Sequence, residues 1–260
     1  TTIKCLLNLL KPASGSVELF GMNPQRHEVA VKERLAYVPD QVAFYPWMTI
    51  RSYFEYLASF RKHWNVAMQN ELIGRFDLAP GRKVNDLSRG QKVQVALIGA
   101  LCPEPQLLIL DEPTSGLDPQ VRREFIRTVI GAYQEGDPEN RTVFVSTHLI
   151  TEFEGLIDEF TVMEKGRDIL TMPSEDARDR FKKIRVRFAN EPPALDELDC
   201  IHTERDGREV EIYCNGNSEQ LMDSLQARQP QDISLETLSL EEIFLTSLKL
   251  ERKPHEPAHS

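Results

Sequence analysis

The chain has 260 residues, of which 40% are hydrophobic and 28% charged, and this balance excludes a chain that is disordered as a whole. Its 41 acidic and 31 basic residues leave a net charge of −10, which argues against nucleic acid or an anionic lipid surface as the main partner. The best candidate for a membrane span, Val93 to Leu110, is broken by prolines, so no transmembrane helix is predicted. The cysteines form no CxxC pair, which favours a reduced, cytosolic protein.

The N-terminal part of the chain alternates between helical and extended patterns. Apolar residues recur at helical spacing in three places, and two short runs of β-branched, aromatic and other apolar residues are each ended by a glycine or a proline. These patterns predict helices over 3–10, 50–60 and 67–76, and strands over 17–20 and 35–38.

The middle of the chain has stronger signals. Ser88 is a predicted cap for a helix that extends to Ala100. The segment from Leu107 to Leu110 is fully apolar, as expected for a strand that is buried on both faces. Further strands are predicted over 142–146 and 160–163, helices over 119–133 and 151–157, and a loop over 136–140. This alternation predicts an α/β layer with a mainly parallel sheet.

The pattern changes near Pro173. From Lys183 onward the chain reads as strand, short helix, strand, an Asp206-Gly207 hairpin turn, strand, helix, strand and helix. We therefore predict a small α+β domain over 183–250, followed by a loose tail over 251–260.

Two carboxylates follow the most apolar strand directly. Asp111 and Glu112 lie where that strand ends, and α/β sheets bind their ligands at the carboxyl ends of the strands. One carboxylate at such an edge can hold Mg²⁺ and the next can polarise a water molecule. On its own, this pair is equally consistent with a strand edge that is acidic without any function.

Two further motifs have a structural and a functional interpretation. The segment Leu87-Ser88-Arg89-Gly90-Gln91 starts a helix, so its free N–H groups can bind phosphate, or it can be an ordinary capped start with a turn glycine. His148 follows the strand over 142–146, where a histidine is more often structural than catalytic.

Taken together and in this order, the motifs resemble those of the nucleotide-binding domain of ABC transporters. LSRGQ (87–91) is similar to the signature motif, and LLILDE (107–112) to the Walker B motif with its catalytic glutamate. SGLD (115–118) is similar to the D-loop, and STH (146–148) to the switch-histidine loop. The resemblance covers residues 1 to about 166. It implies an α/β P-loop NTPase domain over 1–172, with a mainly parallel sheet and a helical subdomain over about 44–102, joined to the α+β domain.

The resemblance also implies a role for each motif, with ATP and Mg²⁺ as cofactors. Glu112 would orient and deprotonate the attacking water, and His148 would hydrogen-bond the γ-phosphate. Asp111 would hold Mg²⁺ through water, and Asp118 would signal across a dimer of two such domains. The signature contacts to the partner's γ-phosphate would come from Ser88, Gly90 and Gln91.

The sequence departs from the family's pattern in three places. Thr1 and Thr2 resemble the end of the P-loop, with Thr1 as a Mg²⁺ ligand, but the preceding glycines and lysine are missing, so we predict a chain that begins inside a domain. The Q-loop position, whose side-chain oxygen faces Mg²⁺ or the attacking water, is filled by Asp40 or by Gln41, with a preference for Asp40. Arg89 replaces a signature glycine, which we expect to be tolerated.

The function implied is that of an ATP-binding and hydrolysing subunit of an ABC transporter. The sequence is similar to those of ATPases that pair with ABC-2-type exporters. Its expected partners are a second nucleotide-binding domain and transmembrane permease subunits, at the cytoplasmic face of the cell membrane, and not nucleic acid. The aromatic-rich segment 44–60 is the expected permease contact, although most of its aromatics are expected in the core. Two alternatives stay open: a truncated or degenerate cassette that binds without hydrolysing ATP, and a soluble ABC-type ATPase of translation or DNA maintenance.

Overall fold

A computed structural model of the protein describes residues 1–134, 140–195 and 197–252. The chain divides into two compact units, 1–149 and 150–260. This division falls before residue 172, where the sequence places the end of the first domain, and the limits at 172 and 183 stay a prediction. The predicted loop over 136–140 and the predicted tail over 251–260 lie mostly outside the described residues.

The first unit is built around three parallel strands in the order β1-β2-β3. The strands are β1 (Leu35–Val38), β2 (Leu107–Asp111) and β3 (Thr142–Ser146). The helices are α1 (Thr2–Leu6), α2 (Glu28–Arg34), α3 (Ile50–Ala58), α4 (Val66–Arg75), α5 (Arg89–Leu101) and α6 (Pro119–Gln134). Strands alternating with helices around a parallel sheet confirm the predicted α/β class.

The central strand β2 is buried on both faces, as its uninterrupted apolar sequence predicts. Leu108 and Leu110 join a large core formed mainly by α3 to α6, whereas Ile109 packs with Ile3 of α1 and Leu35 on the opposite face. Because side chains alternate along a strand, this short apolar segment packs against the hydrophobic clusters on both faces of the sheet.

Local capping explains where two of the helices begin. Thr49 and Ser52 form a reciprocal capping box at the start of α3, and the Asn65 side chain accepts a hydrogen bond from the backbone at the start of α4. Helix α3 also approaches α5 closely, because a Cβ atom at Gly99 would lie 2.7 Å from Leu57 Cδ1. A side chain at residue 99 would therefore displace the end of the Leu57 side chain.

Three predicted elements differ in the structure. The predicted strand over 17–20 is only an isolated bridge between Leu19 and Met22, which surrounds a turn. The predicted helix over 3–10 ends at Leu6, and Asn8 adopts a positive φ of 57° that a helix cannot accommodate. The predicted helix over 151–157 is replaced by two single 3-10 turns, neither of which contains a buried residue to stabilise a longer helix.

The second unit consists of two antiparallel sheets and three helices within the described residues. Strands β4 (Glu159–Glu164) and β5 (Arg167–Pro173) form a hairpin through Lys165 and Gly166, both with positive φ. The larger sheet has the order β7-β8-β6-β9. Its strands are β6 (Phe181–Arg187), β7 (His202–Asp206), β8 (Glu209–Asn215) and β9 (Asp232–Thr237), and the helices are α7 (Ser174–Arg180), α8 (Ser218–Gln226) and α9 (Leu240–Arg252).

The strands of this sheet follow one another along the chain as predicted, and β7 and β8 are joined at the Asp206-Gly207 turn. The short helix predicted between β6 and β7 is absent from the described residues of that connection. No helix in the described ranges is both long and apolar enough to cross a membrane.

Candidate functional site

The carboxyl ends of the three parallel strands bring the predicted acidic residues and the histidine to one edge of the sheet. Val38 of β1 is in register with Leu110 of β2, and Asp111 is in register with Ser146 of β3. Asp40 follows β1 by two residues, and His148 follows β3 by two residues. The sequence motifs that end these strands therefore converge, as expected for a ligand site of an α/β sheet.

Glu112 and His148 are in direct contact. His148 Nδ1 lies 2.7 Å from Glu112 Oε2, and the glutamate is held by its own N–H, which donates to the Ser146 carbonyl at 2.8 Å. Glu112 also has a positive φ of 47°, an uncommon conformation for a residue with a side chain. Since an ionised carboxylate can only accept, this contact places the proton on His148 Nδ1.

Asp111 is contacted by a residue that the sequence analysis did not identify as part of the site. The Tyr37 hydroxyl lies 3.4 Å from Asp111 Oδ2. Burial raises the pKa of Tyr37, and the charge of Asp111 raises this pKa further, so the hydroxyl stays a hydrogen-bond donor. The contact depends on strand register, which the sequence alone does not give: Tyr37 is in register with Ile109, so its side chain lies on the same face as Asp111, two residues further along β2.

The signature segment forms the capped start of α5. Ser88 Oγ accepts a hydrogen bond from the Gln91 N–H, and Gln91 Oε1 accepts one from the Ser88 N–H. Both side chains act as acceptors in these contacts. The capping box therefore leaves the hydroxyl hydrogen of Ser88 and the side-chain amide hydrogens of Gln91 available as donors. Gly90 packs beside α6, where an added Cβ would lie 3.2 Å from Val121 Cγ1.

Asp118 has a local role in this structure. Its Oδ1 accepts hydrogen bonds from the N–H groups of Gln120 and Val121, each at 3.1 Å, and so caps the first turn of α6. The signal across a dimer that the resemblance implies for Asp118 stays a prediction.

The remaining predicted residues are exposed or form a single ion pair. Thr1 and Thr2 are exposed at the start of α1, and Gln41 is exposed next to Asp40. Asp40 Oδ1 lies 3.7 Å from Arg89 Nη2. In the described parts of the chain, no three His, Cys, Asp or Glu side chains are placed to hold a metal ion by themselves. The choice between Asp40 and Gln41 stays open.

Comparison with known proteins gives the family. The family model described as ABC transporter matches residues 1–115. The bacitracin transport ATP-binding protein BcrA of Bacillus licheniformis is 32% identical over 70% of this chain, which spans only 60% of that relative. The Nod factor export ATP-binding protein I of Burkholderia orbicola is 30% identical over 82% of this chain and 72% of its own length.

A solved structure supports the fold. The structure of an ATP-binding subunit of an ABC transporter matches 68% of this chain and 75% of its own, with a TM-score of 0.60 at 24% identity. Together with the motifs that meet at the sheet edge, these similarities show that the chain belongs to the ABC transporter family and that residues 1–115 are part of its nucleotide-binding domain.

Proposed function

We propose that the protein is the ATP-binding and hydrolysing subunit of an ABC-2-type exporter. The observation that carries this proposal is the contact between Glu112 and His148 beside Asp111, at the carboxyl edge of the parallel sheet. The relatives named for bacitracin transport and Nod factor export support an export function of this kind. The transported substrate would be selected by the permease subunits.

The residues at the edge fit a magnesium ion that arrives with a nucleotide. Mg²⁺ prefers oxygen ligands and usually takes one or two carboxylates, with waters and substrate phosphates completing its shell. Asp111 supplies one carboxylate, and Asp40 or Gln41 and the Thr1 hydroxyl are the further oxygen donors of the proposed site. When bound, the ion would neutralise charge on the phosphates.

We propose separate tasks for the two catalytic candidates. Glu112, as a carboxylate, can accept a proton from a water molecule and orient that water for attack. His148 already donates from Nδ1 to Glu112, so it can donate from Nε2 to a phosphate oxygen only in its doubly protonated form. Ser88 and Gln91 of a second copy would offer their unused donors to the same phosphate.

The proposal is tested by replacing Glu112 with glutamine in the complete protein. Glu112→Gln keeps the size of the side chain but removes the base, so ATP hydrolysis should fall by about 100-fold or more while ATP binding persists. Hydrolysis is measured by phosphate release, and an ATP-bound dimer by size-exclusion chromatography.

A matched control exists in the same unit. Glu104 also contacts a histidine, His63, and also has a positive φ, but it follows α5 and not a strand end. Glu104→Gln should leave hydrolysis unchanged. If Glu112→Gln hydrolyses ATP at the rate of the parent, the catalytic role is wrong, and a complete protein that never hydrolyses ATP would favour a cassette that only binds.

We further propose that an exposed aromatic patch contacts the permease subunit at the cytoplasmic face of the membrane. The patch consists of Tyr45, Trp47, Tyr56 and Phe60, which are 46%, 69%, 38% and 68% exposed. Their rings are contiguous, with centroids 5.1 Å apart for Tyr45 and Trp47 and 5.0 Å apart for Tyr56 and Phe60. Contiguous exposed aromatics of this kind are typical of protein interfaces.

A further inference from the structure

Two residues that depart from the family's pattern lie side by side. Arg89 stands where the signature motif has a glycine, and Asp40 is one of the two candidates, with Gln41, for the position where the family often has glutamine. Arg89 Nη2 is 3.7 Å from Asp40 Oδ1, and both side chains are partly exposed. This ion pair joins the loop after β1 to the start of α5.

The same guanidinium group also covers the loop after β2. A Cβ atom at Gly116 would lie 2.9 Å from both Cζ and Nη1 of Arg89, so the arginine occupies the space where any side chain at 116 would begin. Gly116 has a φ of +67°, which already favours glycine. Arg89 is therefore in contact with two loops that are distant from it in sequence.

The start of α5 gives a reason for the ion pair. Arg89 is the first residue of this helix, and the first turn contains no acidic residue. The amino end of a helix carries a partial positive charge, so a cation there is unfavourable. The carboxylate of Asp40 supplies from another loop the negative charge that the first turn of α5 lacks.

We propose that Arg89 is a positioning residue that holds the loops of Asp40 and Gly116 against the start of α5. These segments then move together, so that a displacement of α5 is transmitted to the Asp40 carboxylate. That the three segments face a nucleotide rests on the proposed function, whereas the coupling between them does not.

Hydrogen–deuterium exchange of the whole chain without nucleotide tests this coupling. Arg89→Ala and Asp40→Asn should each raise the exchange rate of the Ser115 and Leu117 amides, which donate to the carbonyls of Glu112 and Thr114. The expected rise is about two- to fivefold, the effect of one exposed ion pair. Because both variants remove the same pair, the double variant should exchange no faster than either single one.

Two controls separate positioning from a general loss of stability. Arg89→Lys keeps the charge and should keep most of the protection, which a purely steric role would not do. Arg75→Ala removes another exposed ion pair of the same unit, with Glu71, and should leave exchange of the Ser115 and Leu117 amides unchanged.

A substitution at Gly116 provides an independent test of the proposal. Gly116→Ala should displace the guanidinium and raise exchange of the Ser115 and Leu117 amides, and adding Asp40→Asn to this variant should cause no further rise there. Unchanged exchange in Arg89→Ala, or additive effects of Arg89→Ala and Asp40→Asn, would overturn the proposal. No nucleotide is needed, so an inactive protein would contradict the proposed function and leave this test intact.

Discussion

Thr114 buries a hydroxyl group next to the catalytic candidates. The residue is fully buried, and its Oγ1 has no hydrogen-bond partner among the described residues. A buried hydroxyl without a partner costs about 1–3 kcal/mol of folding free energy. We therefore expect the hydroxyl of Thr114 to destabilise the fold.

Replacing this hydroxyl should not weaken the protein. Thr114→Val has nearly the same shape, so we expect the free energy of unfolding to stay equal or to rise by about 1 kcal/mol, measured by urea denaturation. Thr128→Val is the control, because the buried Thr128 hydroxyl donates to the Glu124 carbonyl at 2.9 Å and its loss should cost about 1 kcal/mol. A Thr114→Val variant less stable than Thr128→Val would reveal a partner for the Thr114 hydroxyl.

At the residue scale, the sequence predicts those parts of the site that are contiguous in the chain. Glu112 and His148 follow strands, so their common edge could be inferred from the parallel sheet alone. The contacts of Tyr37 with Asp111 and of Arg89 with Asp40 could not, because they depend on strand register and on how separate loops pack.

Helix α9 shows how one element is fixed by a small polar network. The N–H and Oγ of Ser239 donate to Glu242 Oε2, the Glu242 N–H donates to Ser239 Oγ, and Lys183 Nζ donates to Glu242 Oε1 at 3.1 Å. Burial opposes ionisation of Glu242, but the hydrogen bonds from Ser239 and Lys183 outweigh it and lower the pKa of this carboxyl below 4.5. The charged form thus stabilises the start of α9.

A neutral residue at this position should therefore destabilise the second unit in a pH-dependent way. Because the folded pKa is below the unfolded one, the stabilisation is present above the unfolded pKa and is lost as the pH falls through the folded pKa. We expect Glu242→Gln to lower the free energy of unfolding by about 1 kcal/mol at pH 7, with a smaller difference below pH 4.5.

The adjacent carboxylate is the control for this prediction. Glu241 is exposed in the same first turn, and Glu241→Gln should change stability by less than about 0.5 kcal/mol. Equal losses for the two variants in chemical denaturation at pH 7 would show that the helix dipole, and not the network of Glu242, explains the effect.

Elements with a distinct buried pattern could be predicted, and elements without one could not. The apolar run of β2 and the capped start of α5 match the structure closely. Helix α7 was missed because its sequence, SEDARDR, has only Ala177 as a buried apolar residue. Propensity alone does not reveal so short a helix, whose stability depends on tertiary packing.

At the scale of the whole molecule, the aromatic segment divides into a core part and a surface part. Phe44 packs edge-to-face on Tyr53 at 4.7 Å and against the main core, whereas Tyr45 is exposed in the aromatic patch. The sequence does not distinguish the two residues. Both lie in one irregular loop between β1 and α3, where no periodicity shows which side chain faces inward.

This difference predicts opposite outcomes for the two residues. In the complete transporter, Tyr45→Ala should reduce substrate export while basal ATP hydrolysis stays close to that of the parent. Phe44→Ala should lower the free energy of unfolding by about 2–4 kcal/mol, because a ring packed against the core is lost. Export and ATPase assays, together with urea denaturation, distinguish the two. A parallel loss of export and hydrolysis in Tyr45→Ala would contradict a role in coupling.

The two tryptophans give the protein its own optical reporters. Trp47 lies in the aromatic patch and is 69% exposed, whereas Trp64 packs against Phe54 and donates its Nε1–H to Gln69 Oε1 at 2.7 Å. Their fluorescence should therefore differ: Trp47 emits at the longer wavelength and is quenched readily by acrylamide, whereas the partly buried Trp64 is quenched less readily. Any protein that covers the aromatic patch would shift the emission of Trp47 alone, so binding can be followed without a label.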